Sequence, residues 1–307
     1  MSYQKPDRDS LRVDGARLWS RLMELARICA TAAGGVHRVA LTDEDKAGRD
    51  LFLDWCEAAG LSVTVDGIGN IFGRRQGRHP DADPVLIGSH LDSQPSGGRF
   101  DGALGVLAAL EVIETLNEHD ITTGHPIEIV SWTNEEGSRF APAMIASGTF
   151  AGVFDLNWAL SAQDRWGVRL GDELTRIGYQ GDAQVGGRSL RASFELHIEQ
   201  GPILESSNTT IGVVTGVQGQ RWYDVSIEGE PTHAGPVPMR QRKDPVRGLA
   251  RLLDRLFEQV RDYDELGRAT VGVLHADPGS RNTQPGTVSC TVDLRHPRDG
   301  DLTALDS

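Results

Sequence analysis

The feature that most constrains the fold is an alternation of apolar runs and helical patterns that begins at residue 84. The runs 84–90, 126–133 and 191–198 are almost continuously apolar, and residues 102–117 form a helical pattern rich in Ala and Leu. Apolar strands separated by helices are typical of a parallel or mixed sheet covered on both faces. Ligands of such sheets bind beyond the carboxyl ends of the strands. The pattern therefore predicts an α/β domain with a site at that edge.

The rest of the chain divides into an N-terminal and a C-terminal part around this alternation. Two helices are predicted at 15–33 and between Thr42 and Gly60, followed by two short strands. From 213 the pattern changes to a strand at 221–229, a helix at 245–262, and strands at 268–276 and 286–294. That order is the first two-thirds of a two-layer βαββαβ sandwich. We therefore expect a first domain at 1–212 and an incomplete α+β domain at 213–307.

Composition excludes several classes of protein. The chain has 31 Lys+Arg against 44 Asp+Glu, a net charge of −13, which argues against a general nucleic-acid binder. No apolar run approaches the length of a membrane helix, and residues 1–19 lack the apolar segment of a secretory signal. Three widely spaced cysteines, Cys29, Cys56 and Cys290, suggest no disulfide framework. We expect a cytoplasmic protein with no membrane or nucleic-acid partner.

Four polar clusters stand at or near the ends of predicted strands. They are His90 with Asp92, then Asp101, then Glu135 with Glu136, and finally His197. Each has an ordinary alternative: a surface histidine, a helix N-cap, a solvated strand exit, or the polar face of a half-exposed strand. Together they form a ligand set suited to Zn²⁺, or to Mn²⁺ or Co²⁺. One of two adjacent glutamates can bind metal while the other accepts a proton from water. The combination predicts a metal site.

Three residues of the second domain have side chains suited to binding a carboxylate substrate. His233 lies in a loop rich in Pro and Gly, Asn282 in another loop, and Arg295 ends a predicted strand. An arginine can hold a carboxylate bidentately, and an asparagine can add a hydrogen bond. Taken alone, however, each is better explained as a surface residue.

Four segments resemble the amidase/hydantoinase–carbamoylase group of the M20 metallopeptidase-like family. They are GSHLDSQPSGGRFDGALGVLAALEV (88–112), TNEEGSRF (133–140), ELHIEQGP (195–202) and PTHAG (231–235). The group includes N-carbamoyl-L-amino acid hydrolases, allantoate amidohydrolases and β-ureidopropionases, and the resemblance runs in order along nearly the whole chain. It implies a zinc-exopeptidase-like α/β domain whose mixed, mostly parallel sheet is flanked by helices. An α+β two-layer sandwich, the lid and dimerisation domain, is inserted into it.

The resemblance also implies roles for the site residues at a centre of two divalent metal ions. His90 and His197 would ligate one ion, Asp101 would bridge, and Glu136 would ligate the other. Glu135 would be the general base, and Asp92 would orient His90. His233, Asn282 and Arg295 match positions that hold the substrate and its developing oxyanion, and Gln200 matches a position near the scissile group. His233 would come from the partner subunit of a homodimer.

A histidine at 197 within ELHIEQGP is typical of the carbamoylase-like group, whereas peptidases of the wider family place a carboxylate there. The resemblance therefore favours hydrolysis of an N-carbamoyl-L-amino acid to an amino acid, ammonia and carbon dioxide. Allantoate amidohydrolase, β-ureidopropionase and M20-type aminoacylase or dipeptidase activities stay open as alternatives.

One departure from the family pattern concerns the end of the chain. The family carries a further metal-ligating histidine in a C-terminal stretch that returns to the catalytic domain, and this sequence stops at Ser307 inside the lid. His275 and His296 are poor substitutes for that ligand. We therefore expect a C-terminally truncated chain, and an inactive chain is a further alternative.

Overall fold

The computed structural model describes residues 11–307, which fall into two compact units, 11–202 and 203–307. The division lies N-terminal to the expected boundary at 212/213. Part of the stretch in which we expected no secretory signal, residues 1–10, lies outside the described residues. Within residues 11–307, no helix combines the length and the apolar character that crossing a bilayer requires.

A five-stranded mixed sheet forms the centre of the first unit, which confirms the predicted α/β class. The strands are β1 (Ser62–Val65), β2 (Ile71–Arg75), β3 (Val85–His90), β4 (Ile127–Trp132) and β5 (Ala192–Phe194). Their order is β1-β2-β4-β3-β5; β3 pairs in parallel with β4 and β5, while β2 pairs antiparallel with β1 and β4. The sheet is therefore parallel in one half and antiparallel in the other.

Among the described residues, six helices accompany this sheet. They are α1 (Gly15–Leu25), α2 (Asp43–Ala58), α3 (Ala103–Glu118), α4 (Ile145–Phe150), α5 (Leu156–Ser161) and α6 (Leu170–Ile177). The predicted cap of α2 is present, because the Thr42 hydroxyl accepts from the Asp45 amide at 3.2 Å. The prediction of one helix over 15–33 was wrong in extent, since α1 ends at Leu25. Helix α3 buries much of its surface in the core, which agrees with its Ala- and Leu-rich sequence.

The parallel pairing of β3 with β4 places two acidic segments at one edge of the sheet: the segment with Asp92 after β3 and the segment with Glu135 and Glu136 after β4. His90, the last residue of β3, is paired with Trp132, the last residue of β4. The chain segments that follow these strands therefore emerge side by side. On the other side of β3, β5 runs parallel to it and ends at Phe194, opposite Ile87. The segment carrying His197 therefore leaves β5 toward the same carboxyl edge of the sheet.

The second unit is a layer of helices on an antiparallel sheet. Its strands are β6 (Gly219–Glu228), β7 (Thr232–His233), β8 (Arg268–Thr270), β9 (Leu274–Asp277), β10 (Thr283–Gln284) and β11 (Thr287–His296), and its helices are α7 (Ile203–Ser206), α8 (Pro245–Tyr263) and α9 (Asp299–Asp306). β11 pairs with β6, β8 and β9, and β7 pairs with β10. The predicted strand at 268–276 is thus interrupted into β8 and β9. Alternate residues of β11 face a core shared with α8 and α9.

Candidate metal centre

His90 is held in the orientation that a metal ligand needs. It is buried at the end of β3, and its Nδ1 lies 2.8 Å from the backbone oxygen of Asp92. Because Nδ1 donates to that carbonyl, Nε2 carries the lone pair of the neutral ring and is the atom that can bind a metal ion. This Nε2 lies 3.8 Å from Asp101 Oδ1 and 3.4 Å from Glu135 Oε2. His90 is therefore not the surface histidine of the alternative explanation.

Asp101 lies between the two histidines. Its Oδ1 is 3.3 Å from His197 Nε2, and ligand atoms of His90, Asp101 and His197 all lie within 4.8 Å of one another. Gln200 donates from Nε2 to the other oxygen, Oδ2. The residue that caps α3 is Gly102, at a φ of 63°, so Asp101 is not the N-cap residue. A Cβ at Gly102 would stand 2.5 Å from the His90 ring, so glycine lets this loop approach the site closely.

Asp92 connects the two acidic segments rather than orienting His90 through its carboxylate. Its Oδ1 lies 3.8 Å from His90 Nδ1, beyond hydrogen-bonding distance. The two carboxylate oxygens accept instead from the backbone amides of Glu135 and Glu136, at 3.2 and 3.3 Å. Contact with His90 runs through the Asp92 carbonyl. Asp92 thus fixes the exit of β4 relative to the exit of β3.

The adjacent glutamates face different partners. Glu135 lies beside His90, whereas Glu136 Oε2 accepts from Gln94 Nε2 at 3.0 Å. Glu136 Oε1 is buried and finds no hydrogen-bond partner among residues 11–307. A buried carboxylate oxygen without a donor is expensive unless a cation completes it. Gln94 is a residue that the sequence analysis missed, although it lies within the segment 88–112.

The electrostatics of the cluster favour a bound cation. Burial raises the pKa of Glu136 to about 7, and burial together with the Asp92, Glu195 and Asp101 carboxylates raises the pKa of Glu135. Burial likewise raises the pKa of Asp92. Such shifts mean that negative charge is crowded and poorly solvated here, which a divalent ion would relieve. Two imidazoles and several carboxylates are donors that fit Zn²⁺, Mn²⁺ or Co²⁺.

His197 lies in irregular structure, three residues beyond the end of β5. The predicted strand over 191–198 is therefore shorter than expected. The side chain of His197 is 33% exposed, and its Nδ1 lies 2.8 Å from the backbone oxygen of Ile198. Its Nε2, like that of His90, is thereby directed to Asp101.

The three substrate-binding candidates lie in the second unit and do not form one cluster there. His233 is paired with Thr283 across β7 and β10, and the Ala234 amide donates to the Asn282 carbonyl at 2.8 Å. Arg295 lies near the far end of β11, where it forms an ion pair with Asp293 at 2.7 Å. At the usual rise per residue of a strand, the segment from 287 to 295 spans about 25 Å. The structure therefore brings His233 and Asn282 together and separates them from Arg295.

A second group of potential ligands in this unit is already occupied by protein donors. Asp264, His296 and Asp301 approach one another, but Arg298 forms ion pairs with both carboxylates. His296 is fully buried, with Nε2 3.0 Å from Asp264 Oδ2. The group therefore ties α9 to β11 and to the end of α8, and His296 does not serve the predicted metal centre.

This tie makes a pH-dependent contribution to stability. Desolvation alone would raise the pKa of Asp264, but hydrogen bonds from His296 and from the amides of Leu266 and Gly267 outweigh it and lower the pKa to about 2. A carboxylate with a lowered folded-state pKa stabilises above its unfolded value and loses that effect as pH falls. We expect Asp264→Asn to lower the unfolding midpoint at pH 5 to 7 and to converge with the unsubstituted chain between pH 4 and 2. Denaturant melts at stepped pH measure this; a constant difference across that range would contradict it.

A sheet whose carboxyl edge gathers histidines and carboxylates, with Glu135 beside His90, is the arrangement of a metal-dependent hydrolase. The model of Peptidase family M20/M25/M40 matches residues 86–292, and the chain belongs to that family. An N-carbamoyl-L-amino-acid amidohydrolase from Rhizobium meliloti is 49% identical over 97% of this chain and 71% of its own length.

Two further relatives place the chain among the hydantoinase/carbamoylase amidases of the family. The crystal structure of an amidase of the hydantoinase/carbamoylase family from Burkholderia vietnamiensis is 59% identical, with a TM-score of 0.93 over 97% of this chain and 72% of that one. An allantoate amidohydrolase from Bacillus subtilis is 38% identical over 89% of this chain and 66% of its own length. These similarities confirm the family that the motifs indicated.

Proposed function

We propose that this protein hydrolyses N-carbamoyl-L-amino acids to the amino acid, ammonia and carbon dioxide in a metal-dependent reaction, acting in the cytoplasm. The observation that carries the proposal is the convergence of His90, Asp101 and His197 with Glu135 beside them. The name of the Rhizobium relative, at 49% identity, supports the substrate class. The first unit is the catalytic domain in this proposal, and the second is the lid.

Two divalent ions, Zn²⁺ foremost, would be held by the residues gathered at the sheet edge. His90 and His197 would hold one ion and Glu136 the other, and Asp101 would bridge them. When bound, such ions lower the pKa of water and polarise the carbonyl under attack. Glu135 accepts the proton of the attacking water and delivers it to the leaving nitrogen. Its pKa, raised by burial, brings the carboxylate nearer to the neutral range in which both transfers are efficient.

Recognition of the substrate is assigned to side chains that can bind a carboxylate and an oxyanion. The guanidinium of Arg295 can form two parallel hydrogen bonds with the substrate carboxylate, to which Asn282 adds a third. His233 would stabilise the oxyanion of the tetrahedral intermediate, and Gln200, which already contacts Asp101, would lie near the scissile group.

The separation within the second unit supports a homodimer formed through the lid. About 25 Å of strand between the His233–Asn282 pair and Arg295 is much longer than a carbamoyl amino acid. One lid therefore does not place all three side chains on one substrate molecule. In the proposed dimer, Arg295 comes from one subunit, and the His233–Asn282 pair comes from its partner.

Mixing two inactive variants tests this exchange of residues. We expect His233→Ala and Glu135→Gln homodimers to be inactive and their heterodimer to recover about half of the wild-type activity, because one of its two sites has both intact groups. Differently tagged subunits, co-purified on both tags, give the heterodimer for the assay. Heterodimers of Asn282→Ala with His233→Ala serve as the control, since the exchange predicts a defect in both sites. If verified His233→Ala/Glu135→Gln heterodimers have no activity, each site is built within one subunit.

Allantoate is the second candidate substrate, because a 38% identical relative is named allantoate amidohydrolase. A panel of substrates separates the candidates on one metal-loaded preparation: N-carbamoyl-L-amino acids, their D enantiomers, allantoate, β-ureidopropionate, N-acetyl amino acids and dipeptides. We expect the highest kcat/KM with an N-carbamoyl-L-amino acid and less than a tenth of it with N-acetyl analogues. Preference for N-acetyl amino acids or dipeptides would contradict the proposed substrate class, and preference for allantoate would establish the second candidate.

A further inference from the structure

A short loop, Leu91–Ser93, follows β3 and contacts both His90 and the segment that carries Glu135 and Glu136. This loop provides the carbonyl that orients His90 and the Asp92 carboxylate that accepts from the amides of Glu135 and Glu136. A displacement of the loop would therefore move an imidazole ligand and both glutamates together. Whatever fixes the loop also fixes the geometry of the metal centre.

Arg38 forms three hydrogen bonds with this loop. Its side chain is only 1% exposed, and its Nε donates to the Leu91 carbonyl at 2.7 Å. Its backbone amide donates to Ser93 Oγ, and its backbone oxygen accepts from the Ser93 amide, both at 2.8 Å. A longer bond of 3.4 Å from Nη1 to the Leu25 carbonyl reaches the end of α1. Arg38 thus contacts the residues on both sides of Asp92.

A buried guanidinium at this place is costly, which points to a specific use. Burial lowers the pKa of Arg38, and the nearby Asp45 and Asp92 carboxylates oppose that shift. Helix α2 makes room for the side chain with Gly48, whose Cβ would lie 2.8 Å from Arg38 Cδ. A well-packed apolar residue would be the cheaper choice if filling space were the only purpose.

We infer that Arg38 is a positioning residue for the metal centre: it holds the loop Leu91–Ser93 so that His90, Glu135 and Glu136 keep their ligand geometry. This inference rests on the proposed metal-dependent function. The hydrogen bonds between Arg38 and this loop involve the Leu91 carbonyl and the hydroxyl and amide of Ser93, rather than the side chain of an assigned ligand. Mutation of groups that hold metal ligands in place typically changes metal affinity by about 10- to 100-fold.

The test compares Arg38→Met with Arg38→Lys, Ser93→Ala and a control, Arg75→Met. Arg75 also donates to a backbone carbonyl, that of Ile121, but it lies at the end of β2 paired with Ile127, the far end of β4 from the site. Amide hydrogen exchange is measured by mass spectrometry on metal-free full chains, for peptides that cover 89–94 and 134–137. Thermal melts confirm that each variant is folded.

We expect Arg38→Met to speed exchange about tenfold or more in both peptides, with Ser93→Ala giving a smaller effect of the same pattern and Arg38→Lys a partial rescue. Arg75→Met should leave both peptides unchanged. Zn²⁺ titration calorimetry should show an affinity about 10- to 100-fold lower for Arg38→Met than for the unsubstituted chain. Unchanged exchange in Arg38→Met, or equal acceleration in Arg75→Met, overturns the inference.

These outcomes are separable from failure of the proposed function. Exchange in metal-free protein requires neither a substrate nor turnover, so it tests the support of the loop directly. If the exchange pattern holds and Zn²⁺ binds, but no ureido substrate is hydrolysed, the positioning role stands and the substrate assignment fails.

Discussion

Replacement of Glu135 by glutamine should reduce kcat by about 10²- to 10⁴-fold while the metal content of the protein stays unchanged. General acid–base groups contribute rate factors of this size. Glutamine preserves the shape of the side chain but can neither take the proton from water nor deliver it to nitrogen. Because Glu135 lies beside His90 and has no assigned role as a ligand, its loss should leave the affinity for Zn²⁺ within a few-fold of the original.

Glu136→Gln is the matched comparison, since it makes the same chemical change one residue away. Glu136 has a buried Oε1 with no hydrogen-bond partner in the part of the chain that the structure describes, and an Oε2 that accepts from Gln94, the arrangement expected of a ligand. We expect this variant to lose bound metal as well as turnover. Elemental analysis and steady-state kinetics on both variants distinguish the roles. Loss of metal from Glu135→Gln, or turnover retained in it, would remove Glu135 as the general base.

The sequence allowed the grouping of these side chains to be predicted because several of them stand at or near the ends of strands. His90 closes an apolar run, and Glu135 and Glu136 follow another, so parallel pairing of those runs was enough to bring them to one edge. Asp101 could be explained as a helix cap from its position alone. Only the structure, in which Gly102 takes that position, shows its carboxylate free to approach His197.

What could not be predicted depends on tertiary contacts that leave no periodic signal. Arg38 stands in an apolar stretch, where a charged residue has no pattern that reveals its carbonyl partners on another loop. The contact between Asp92 and His90 depends on how the chain turns after β3, and the backbone carbonyl takes the role expected of the carboxylate. Residues 26–33 contain helix-compatible side chains, yet α1 ends at Leu25. Local propensity is a weak prior that packing overrides.

Replacement of Asp101 by asparagine should have the largest effect on metal binding of any single change. Its carboxylate lies 3.8 Å from His90 Nε2 and 3.3 Å from His197 Nε2, and the bridging role would make its charge serve two ions. Mutation of groups that only orient metal ligands already lowers metal affinity by about 10- to 100-fold. Loss of a bridging charge should therefore lower the affinity by more than about 100-fold and abolish turnover. Asparagine keeps an oxygen for the Gln200 donor, so the fold of the loop should persist.

Asp66→Asn provides the control for removing a buried carboxylate without touching the metal centre. Asp66 is buried, as Asp101 is, but it accepts from the amides of Ile68 and Asn70 and from the Asn70 side chain in a turn between β1 and β2. Asp66→Asn should lower the melting temperature and leave the affinity for Zn²⁺ unchanged. Asp101→Asn should lower the affinity for Zn²⁺ and leave the melting temperature of the metal-free protein unchanged. Calorimetric titration and thermal melts on both variants measure this contrast. If Asp101→Asn bound Zn²⁺ as tightly as the unsubstituted chain, the negative charge shared between the two histidines would not be what holds the metal, and the binuclear assignment would fail with it.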